Sequence, residues 1–366
     1  MTQPVPAAVG DSLADVATPA LIVELDALER NIAKMATLTG GTGVRLRPHA
    51  KSHKCVEIAR RQVAAGAVGV CCQKVSEAAA FVEGGIADVF VSNEVVGRKK
   101  QEQLAALADR AHLSVCVDDA DNVRALDAFG RKIDVLVEVD VGTPRCGVPP
   151  GEPTLALARV VANSRHLRFA GLHGYHGMAQ HLRTVAERKA AITGATEQLK
   201  QTRALLEKHD LRCEILTGAG TGTFPFELGG GLYNEIQPGS YIFMDADYNR
   251  NAWDDQPRFE QSLYVLATVM SAAQPGRVIV DAGLKASAVD SGPPIAVGDG
   301  LQYVHASDEH GLVLVLQESA RPKLGDQMRL IPGHCDPTVN LYDWLVAVRG
   351  DRVEALWRVD ARGALA

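Results

Sequence analysis

Between residues 44 and 237 eight short apolar runs recur, at residues 44–50, 68–72, 88–92, 113–118, 133–140, 167–175, 212–217 and 234–237. Helical patterns at residues 75–83, 99–111, 120–129 and 182–208 lie between them. Runs this short and this nearly continuous in apolar residues read as strands buried on both faces, and strands separated by helices pair in parallel. Eight such units predict a (β/α)8 barrel of the α/β class. A doubly wound open sheet is the alternative, but no G-x-G-x-x-G fingerprint follows the first strand. Beyond about Asp254 the helical period fades. Short β-branched runs at residues 263–270, 276–280, 311–316, 328–331 and 353–358, punctuated by Gly, Pro and Asp, predict an antiparallel β domain. The expected division is residues 1–25 as a lead-in and a strand joining the β domain, residues 26–250 as the barrel, and residues 251–366 as the β domain. Asp26 is the expected N-cap of a helix running to about Thr39, with Leu28, Ile32 and Met35 on one face.

A chain of 366 residues exceeds one ordinary domain and suits a barrel of about 250 residues with an appendage. Hydrophobic residues at 46% and charged ones at 22% are enough to bury a large core. The net charge of −6, with no lysine- or arginine-rich run, argues against a nucleic-acid surface. Seven cysteines, an odd number with Cys71 and Cys72 adjacent, do not form a disulfide framework and fit a reducing cytoplasm. Residues 1–18 lack the basic-then-apolar order of a signal peptide and read as a mobile lead-in. No run approaches the length of a membrane span, so a membrane is not an expected partner.

In a barrel the chemistry sits on the loops that follow the strands. That rule selects His49 and Lys51 after the first strand, Arg145 after the fifth, and Tyr175, His176 and His181 after the sixth. Residues 218–223 follow the seventh and residues 237–241 the eighth. In R-P-H-A-K-S-H-K, residues 47–54, Lys51 stands between His49 and His53. Crowding by cationic groups predicts a lowered pKa and an amine able to form a Schiff base, although this stretch alone also reads as a solvated basic strand end. In G-A-G-T-G-T, residues 218–223, glycines let the backbone approach a phosphate, which N–H groups and threonine hydroxyls can cradle. Gly239, Ser240 and Tyr241 stand at the neighbouring strand end, where barrels recurrently bind phosphate. A reactive lysine and a phosphate cradle on one rim suggest pyridoxal 5′-phosphate.

The chain resembles the fold-type III pyridoxal-phosphate enzymes, in the branch containing D-threonine aldolase and eukaryotic-type D-serine dehydratase. The resemblance rests on T-P-A-L-I-V-E-L-D-A-L-E-R-N (residues 18–31), R-P-H-A-K-S-H-K, T-G-A-G-T, Q-P-G-S-Y (residues 237–241), S-D-E-H-G (residues 307–311) and H-C-D-P-T-V-N-L (residues 334–341). It implies an alanine racemase-like barrel with a β domain, and Lys51 as the Schiff-base lysine. It further implies Arg145 near the cofactor's phenolic oxygen and Tyr175 against its ring, with Thr217, Gly218, Gly220, Thr221, Gly239, Ser240 and Tyr241 at or near the phosphate. Gln237 would face the pyridine nitrogen, where relatives often carry Glu or Arg, and its neutral amide imposes neither protonation state.

His334 and Asp336 are a candidate metal pair. Pro337 biases Asp336 toward extended backbone, in which residues i and i+2 share a face and Cys335 points away. Asp308, with His310, could complete the shell. The plainer reading is a turn in which His334 caps a helix. An imidazole with a carboxylate and waters suits Mn²⁺, with Mg²⁺ or Zn²⁺ as alternatives. Dehydratases of the branch resemble H-x-C here and aldolases H-x-D, as in this chain. The implied activity is metal-activated cleavage of D-threonine and related D-3-hydroxy amino acids to glycine and an aldehyde. His181 would be the base, with His176 in reserve, in a homodimer. The rival enzyme readings are a D-serine or D-3-hydroxyaspartate dehydratase and a D-3-hydroxyaspartate aldolase. A non-catalytic cofactor-binding protein is the alternative from another class.

Overall fold

The computed structural model describes residues 4–366, so residues 1–3 of the expected lead-in lie outside the described residues. Strand β1 (Ala20–Glu24) leads directly into helix α1 (Leu25–Thr39). Asp26 is not the cap: the helix begins one residue before it, and its carboxylate lies in the first turn, where the helix dipole favours it and Arg349 pairs with it. Leu28, Ile32 and Met35 are all buried.

Eight strands then alternate with helices. They are β2 (Arg45–Leu46), β3 (Val70–Cys72), β4 (Asp88–Glu94), β5 (His112–Val117), β6 (Ile133–Glu138), β7 (Leu167–His173), β8 (Ile215–Gly218) and β9 (Glu235–Ile236). The helices between them are α2 (Val56–Ala64), α3 (Val75–Glu83), α4 (Arg98–Leu107), α5 (Ala120–Asp127), α6 (Glu152–Ala162), α7 (Val185–Glu207) and α8 (Phe224–Gly229). All pairs are parallel, in the order β2-β9-β8-β7-β6-β5-β4-β3. The ring closes beyond the end of β2, where Val68 N–H donates to Leu46 C=O at 2.9 Å and Cys71 N–H donates to Pro48 C=O at 2.8 Å. A parallel bridge between His49 and Cys71 completes the seam. The first strand is shorter than its apolar run because Pro48 has no N–H to give to a ladder and a tight turn at Ala50–Ser52 follows. Helix α7 starts in a capping box: Glu187 N–H donates to Thr184 Oγ1 at 3.2 Å, and Thr184 N–H donates to Glu187 Oε2 at 3.0 Å.

Alternate residues of each strand face the barrel interior, and their chemistry changes along the axis. At the N-terminal end Asp88, His112, Asp134 and Arg168 form a belt of ion pairs across β4, β5, β6 and β7. Buried Arg47 extends it to Asp88 at 2.6 Å and to Glu235 at 3.1 Å. Two residues further along, Phe90, Leu136 and Ala170 pack with Cys71, Cys116 and Ile215 as an apolar plug. Two more residues along β4 and β6 bring Ser92 and Glu138 to the mouth. A belt of ion pairs thus closes one end, an apolar layer seals the middle, and polar and charged groups reach the rim that holds the site.

The remaining strands are β10 (Leu263–Ser271), β11 (Arg277–Val280), β12 (Ile295–Ala296), β13 (Leu301–Ala306), β14 (Gly311–Val315), β15 (Gln327–Ile331), β16 (Trp344–Arg349) and β17 (Arg352–Arg358). Helices α9 (Ala246–Asn249) and α10 (Cys335–Val339) interrupt the approach to this sheet and its last third. The path β13-β14-β11-β10-β1-β16-β17 is antiparallel except at one step, with β12 and β15 attached beside β10. The exception is β1, which pairs antiparallel with β10 and parallel with β16. Residues 4–18 are not a loose lead-in, since Gly10 N–H donates to Val353 C=O at 2.9 Å and Leu13 N–H to Asp351 C=O at 2.6 Å, which fastens them to β17. Leu28 and Met35 of α1 share one core with Phe243, Val265 and Leu345, so the barrel flank and the β sheet are packed together. No helix among the described residues is long and apolar enough to cross a membrane.

Candidate active site

The strand ends converge on a cavity of about 260 Å³. The barrel strands supply Ser92 and His173, the loops after them His49, Lys51, Gln73, Arg145, Tyr175 and His181, the segments after β8 and β9 Gly220, Thr221, Gln237, Gly239 and Ser240, and the β domain His334 and Asp336. Lys51 sits in the tight turn Ala50–Ser52, where the side chain of His49 accepts the Lys51 N–H at 3.4 Å. Its Nζ lies 2.9 Å from Asp336 Oδ2.

That carboxylate reverses the sequence expectation of a lowered lysine pKa. Asp336 pushes the Lys51 ammonium well above its usual range, and burial, which works the other way, is the smaller effect. The cationic crowding inferred from the motif is absent. Burial drives His49 far below its ordinary value and His53 down to about 4, so both rings are neutral. Lys54 turns away to Glu77 at 2.8 Å. In this state Lys51 is a charged amine aimed into the cavity by one acid.

The chain beside it offers unmade hydrogen bonds. Thr221 Oγ1 is buried with no hydrogen-bond partner among the described residues. The N–H groups of Gly220 and Thr221 donate to nothing among the described residues. An added Cβ at Gly239 would come within 2.6 Å of Ser52 Oγ and 2.7 Å of His49 C=O, and one at Gly220 within 2.5 Å of Gln180 Oε1. Both positions must be glycine for the segments to approach so closely. Orphaned donors on a tightly turned backbone fit the oxygens of a phosphate.

Other members of the expected cofactor set are placed unequally. Gln237 lines the cavity and its Nε2 donates to Thr217 Oγ1 at 2.8 Å, so Thr217 acts from behind it. Arg145 lies 5.5 Å over the Tyr175 ring and is held by Glu138 at 3.2 Å, a carboxylate that also faces His173 at 3.4 Å. Gly218 lies behind the wall, its Cα facing Gly174 C=O. Tyr241 is not at the cavity: its ring packs on Phe259 at 5.2 Å in the core, and its hydroxyl accepts from Gln62 at 3.0 Å.

The segment from His334 to Asp336 is not an extended run. His334 occupies the extended N-cap position of α10, and Asp336 lies in the first helical turn. Pro337 does not prevent this, because an N–H in the first turn has no intrahelical acceptor to lose. Both side chains nonetheless line the cavity, while Cys335 is fully buried. His334 Nδ1 is 2.8 Å from Asp290 Oδ2, the carboxylate support that metal-binding histidines characteristically have, which leaves Nε2 for an ion. Burial opposes charge on both groups. The neighbours outweigh it, so Asp336 raises the His334 pKa, and Lys51 with His334 holds Asp336 well below the usual carboxylate range.

Asp308 is in the turn joining β13 to β14, outside the cavity, with its backbone against Gly283 and Lys285. His176 is also outside, packed on Gly142 and 3.3 Å from Thr143 Oγ1. His181 lines the cavity. Two other clusters bring three ligand-type side chains together, Cys116 with Glu138 and His173, and Glu94 with Asp118 and Cys146. In the first, Glu138 is already engaged by Arg145. Sequence reasoning missed Gln73, Ser92, Glu138 and His173; the inward alternation of β4 and β6 would have found Ser92 and Glu138.

Residues 23–247 match the family model for the alanine racemase N-terminal domain, and residues 262–348 match a putative serine dehydratase domain. The chain is 49% identical to a D-threonine aldolase of Arthrobacter sp. over 98% of its own length and 96% of that protein. It is 45% identical to a 3-hydroxy-D-aspartate aldolase of Paracoccus denitrificans, over 98% and 95%. The crystal structure of a D-threonine aldolase from Filomicrobium marinum superposes with a TM-score of 0.97 at 50% identity and covers both chains in full. A D-threo-3-hydroxyaspartate dehydratase from Delftia sp. is more distant, with a TM-score of 0.84 at 28% identity over 95% of this chain and 98% of that one. With this extent of likeness in both halves, the chain belongs to the alanine racemase-like, fold-type III pyridoxal-phosphate family, among its D-threonine aldolase relatives.

Proposed function

We propose that the chain is a metal-activated, pyridoxal-phosphate-dependent aldolase that cleaves D-threonine and related D-3-hydroxy amino acids to glycine and an aldehyde. One observation carries the reading: the Lys51 amine and the Asp336 carboxylate stand 2.9 Å apart in one cavity, so a cofactor lysine and a metal-type ligand face the same substrate space. Lys51 would hold the cofactor's aldehyde carbon, Thr221 with the N–H groups of Gly220 and Thr221 its phosphate, and Arg145, Tyr175 and Gln237 its ring. Bound there, the cofactor would supply the electron sink for cleavage at Cα. His334 and Asp336 would hold a divalent ion, Mn²⁺ by donor type with Mg²⁺ or Zn²⁺ as alternatives, which supplies a Lewis acid for the substrate's 3-hydroxyl. His181 takes the proton of the 3-hydroxyl, which lets the Cα–Cβ bond break with release of the aldehyde. Asp336 Oδ2 is the oxygen that Lys51 holds, and it is the one that would turn to the ion when the lysine is engaged by the cofactor.

The homodimer is an expectation from the family resemblance alone, and sedimentation of the purified protein tests it. Seven unpaired cysteines, six of them buried, support a reducing cytoplasm. Product identification tests the function. With D-threonine the expected products are glycine and acetaldehyde, and with D-3-hydroxyaspartate glycine and glyoxylate. Ammonia with a 2-oxo acid from D-serine or D-3-hydroxyaspartate, and no glycine, would assign the chain to the dehydratases instead.

A further inference from the structure

His181 ends the short turn Met178–His181, and its side chain remains 51% exposed at the cavity. Its Nδ1 lies 2.5 Å from Asp247 Oδ2, and its Nε2 has no hydrogen-bond partner among the described residues. Asp247 itself is buried and gripped from several sides. Arg183 donates to its Oδ1 at 2.6 Å and Arg250 at 2.8 Å, and its own N–H donates to Gly333 C=O at 3.2 Å. The helix that carries it, α9, is anchored by Asp245, which accepts from Tyr248 N–H at 2.9 Å and from Cys335 N–H at 2.9 Å. One buried carboxylate therefore caps both α9 and α10, the helix that bears Asp336. The Tyr248 ring lies 6.0 Å from the His181 ring, tilted by 31°, and limits its rotation.

A carboxylate can only accept hydrogen bonds, so the ring nitrogen facing it must carry the proton. Burial alone would favour a protonated Asp247. The hydrogen bonds from His181 and Arg183 outweigh burial and hold its carboxyl well below the usual carboxylate range. We infer that Asp247 is the positioning residue for His181: it keeps the proton on Nδ1, so that Nε2 faces the substrate space as a free acceptor. This rests on His181 being the base in the function proposed above. It assigns to α9, an element outside the motifs of the chain, the task of fixing the tautomer of a group on a barrel loop.

The test is the tautomeric state of His181 in ¹⁵N-histidine-labelled protein carrying its cofactor, read from ring ¹⁵N–¹H correlations and assigned by the resonance that His181→Ala removes. The unsubstituted protein is expected to show the Nδ1–H form. In Asp247→Asn, Arg183 and Arg250 keep the amide oxygen on their side, so the amide nitrogen faces Nδ1 and the proton moves to Nε2. Turnover of D-threonine should then fall by about 10²- to 10⁴-fold in kcat, with KM and the cofactor's absorbance unchanged. The loss should not add to that of His181→Ala in the double variant, whereas a merely structural role for Asp247 would add. An Nε2–H form in the unsubstituted protein, an unmoved tautomer in Asp247→Asn, or additive losses would each overturn the inference. Unchanged kcat in His181→Ala would instead remove the base assignment, and the tautomer readout would still judge Asp247 on its own.

Discussion

Lys51 and Asp336 set each other's charge: the acid keeps the amine protonated and the ammonium keeps the acid ionised. Neither state could be read from residues 47–54 alone, because the partner comes from another domain and the adjacent histidines are neutralised by burial, a property that only packing determines. The lysine itself was legible, since a K between two H residues at a strand end is a local pattern. So were Gln237 and Thr221, which stand where glycine-marked turns bring the backbone close. Tyr241 was misplaced for the opposite reason: an aromatic next to a functional turn is as well suited to the core, and here Gln62 and Phe259 hold it there. The residue-scale prediction concerns Lys51→Ala. The purified variant should lack any borohydride-reducible cofactor absorbance and should lose at least about 10²-fold in turnover. Persistence of a reducible chromophore would move the attachment point to another amine.

At the scale of elements, the barrel is fastened at its N-terminal end by the belt of Arg47, Asp88, His112, Asp134 and Arg168. His112 stands between two carboxylates, whose hydrogen bonds raise its pKa to about 10 from 6.5. A raised folded-state value means that its contribution is complete below about pH 6.5 and is lost as pH rises through about 10. Asp88 and Asp134 are shifted downward despite burial, so their share is present above 3.8 and is lost as pH falls through their depressed values. Because the His112 side chain is 50% exposed, its contribution should be no more than about 1 kcal/mol. The difference in Tm between the unsubstituted protein and His112→Asn should therefore shrink between pH 6.5 and 10. A difference that stays constant over that range would show that the ion pairs contribute nothing. The belt was illegible in the sequence because its members lie on separate strands and meet only through barrel register. The strands themselves were legible as apolar runs, and α2, α6, β12, β13 and β16 were not picked out. Helix α6 begins Glu152-Pro153 beside turn-forming residues, and β16 is a short apolar run close behind the motif that ends at Leu341.

At the scale of the whole molecule, two halves each hold part of the chemistry. The barrel supplies Lys51, the orphaned donors of Gly220 and Thr221, and His181; the β domain brings His334 and Asp336 to the same cavity. The sheet that carries the second set is pinned to the barrel through β1, which sits between β10 and β16, and through the core that α1 shares with both. Asp245 adds a direct tie, because it caps the helix behind His181 and the helix bearing Asp336. In the proposed function a metal held by the β domain activates the substrate hydroxyl that the barrel's base deprotonates. Acetaldehyde release from D-threonine tests it most directly, measured on cofactor-loaded protein before chelation, after exhaustive chelation, and after Mn²⁺ is restored. Release is expected to disappear on chelation and to return with Mn²⁺, while the cofactor's absorbance stays unchanged throughout. Full acetaldehyde release from the metal-free protein would contradict it.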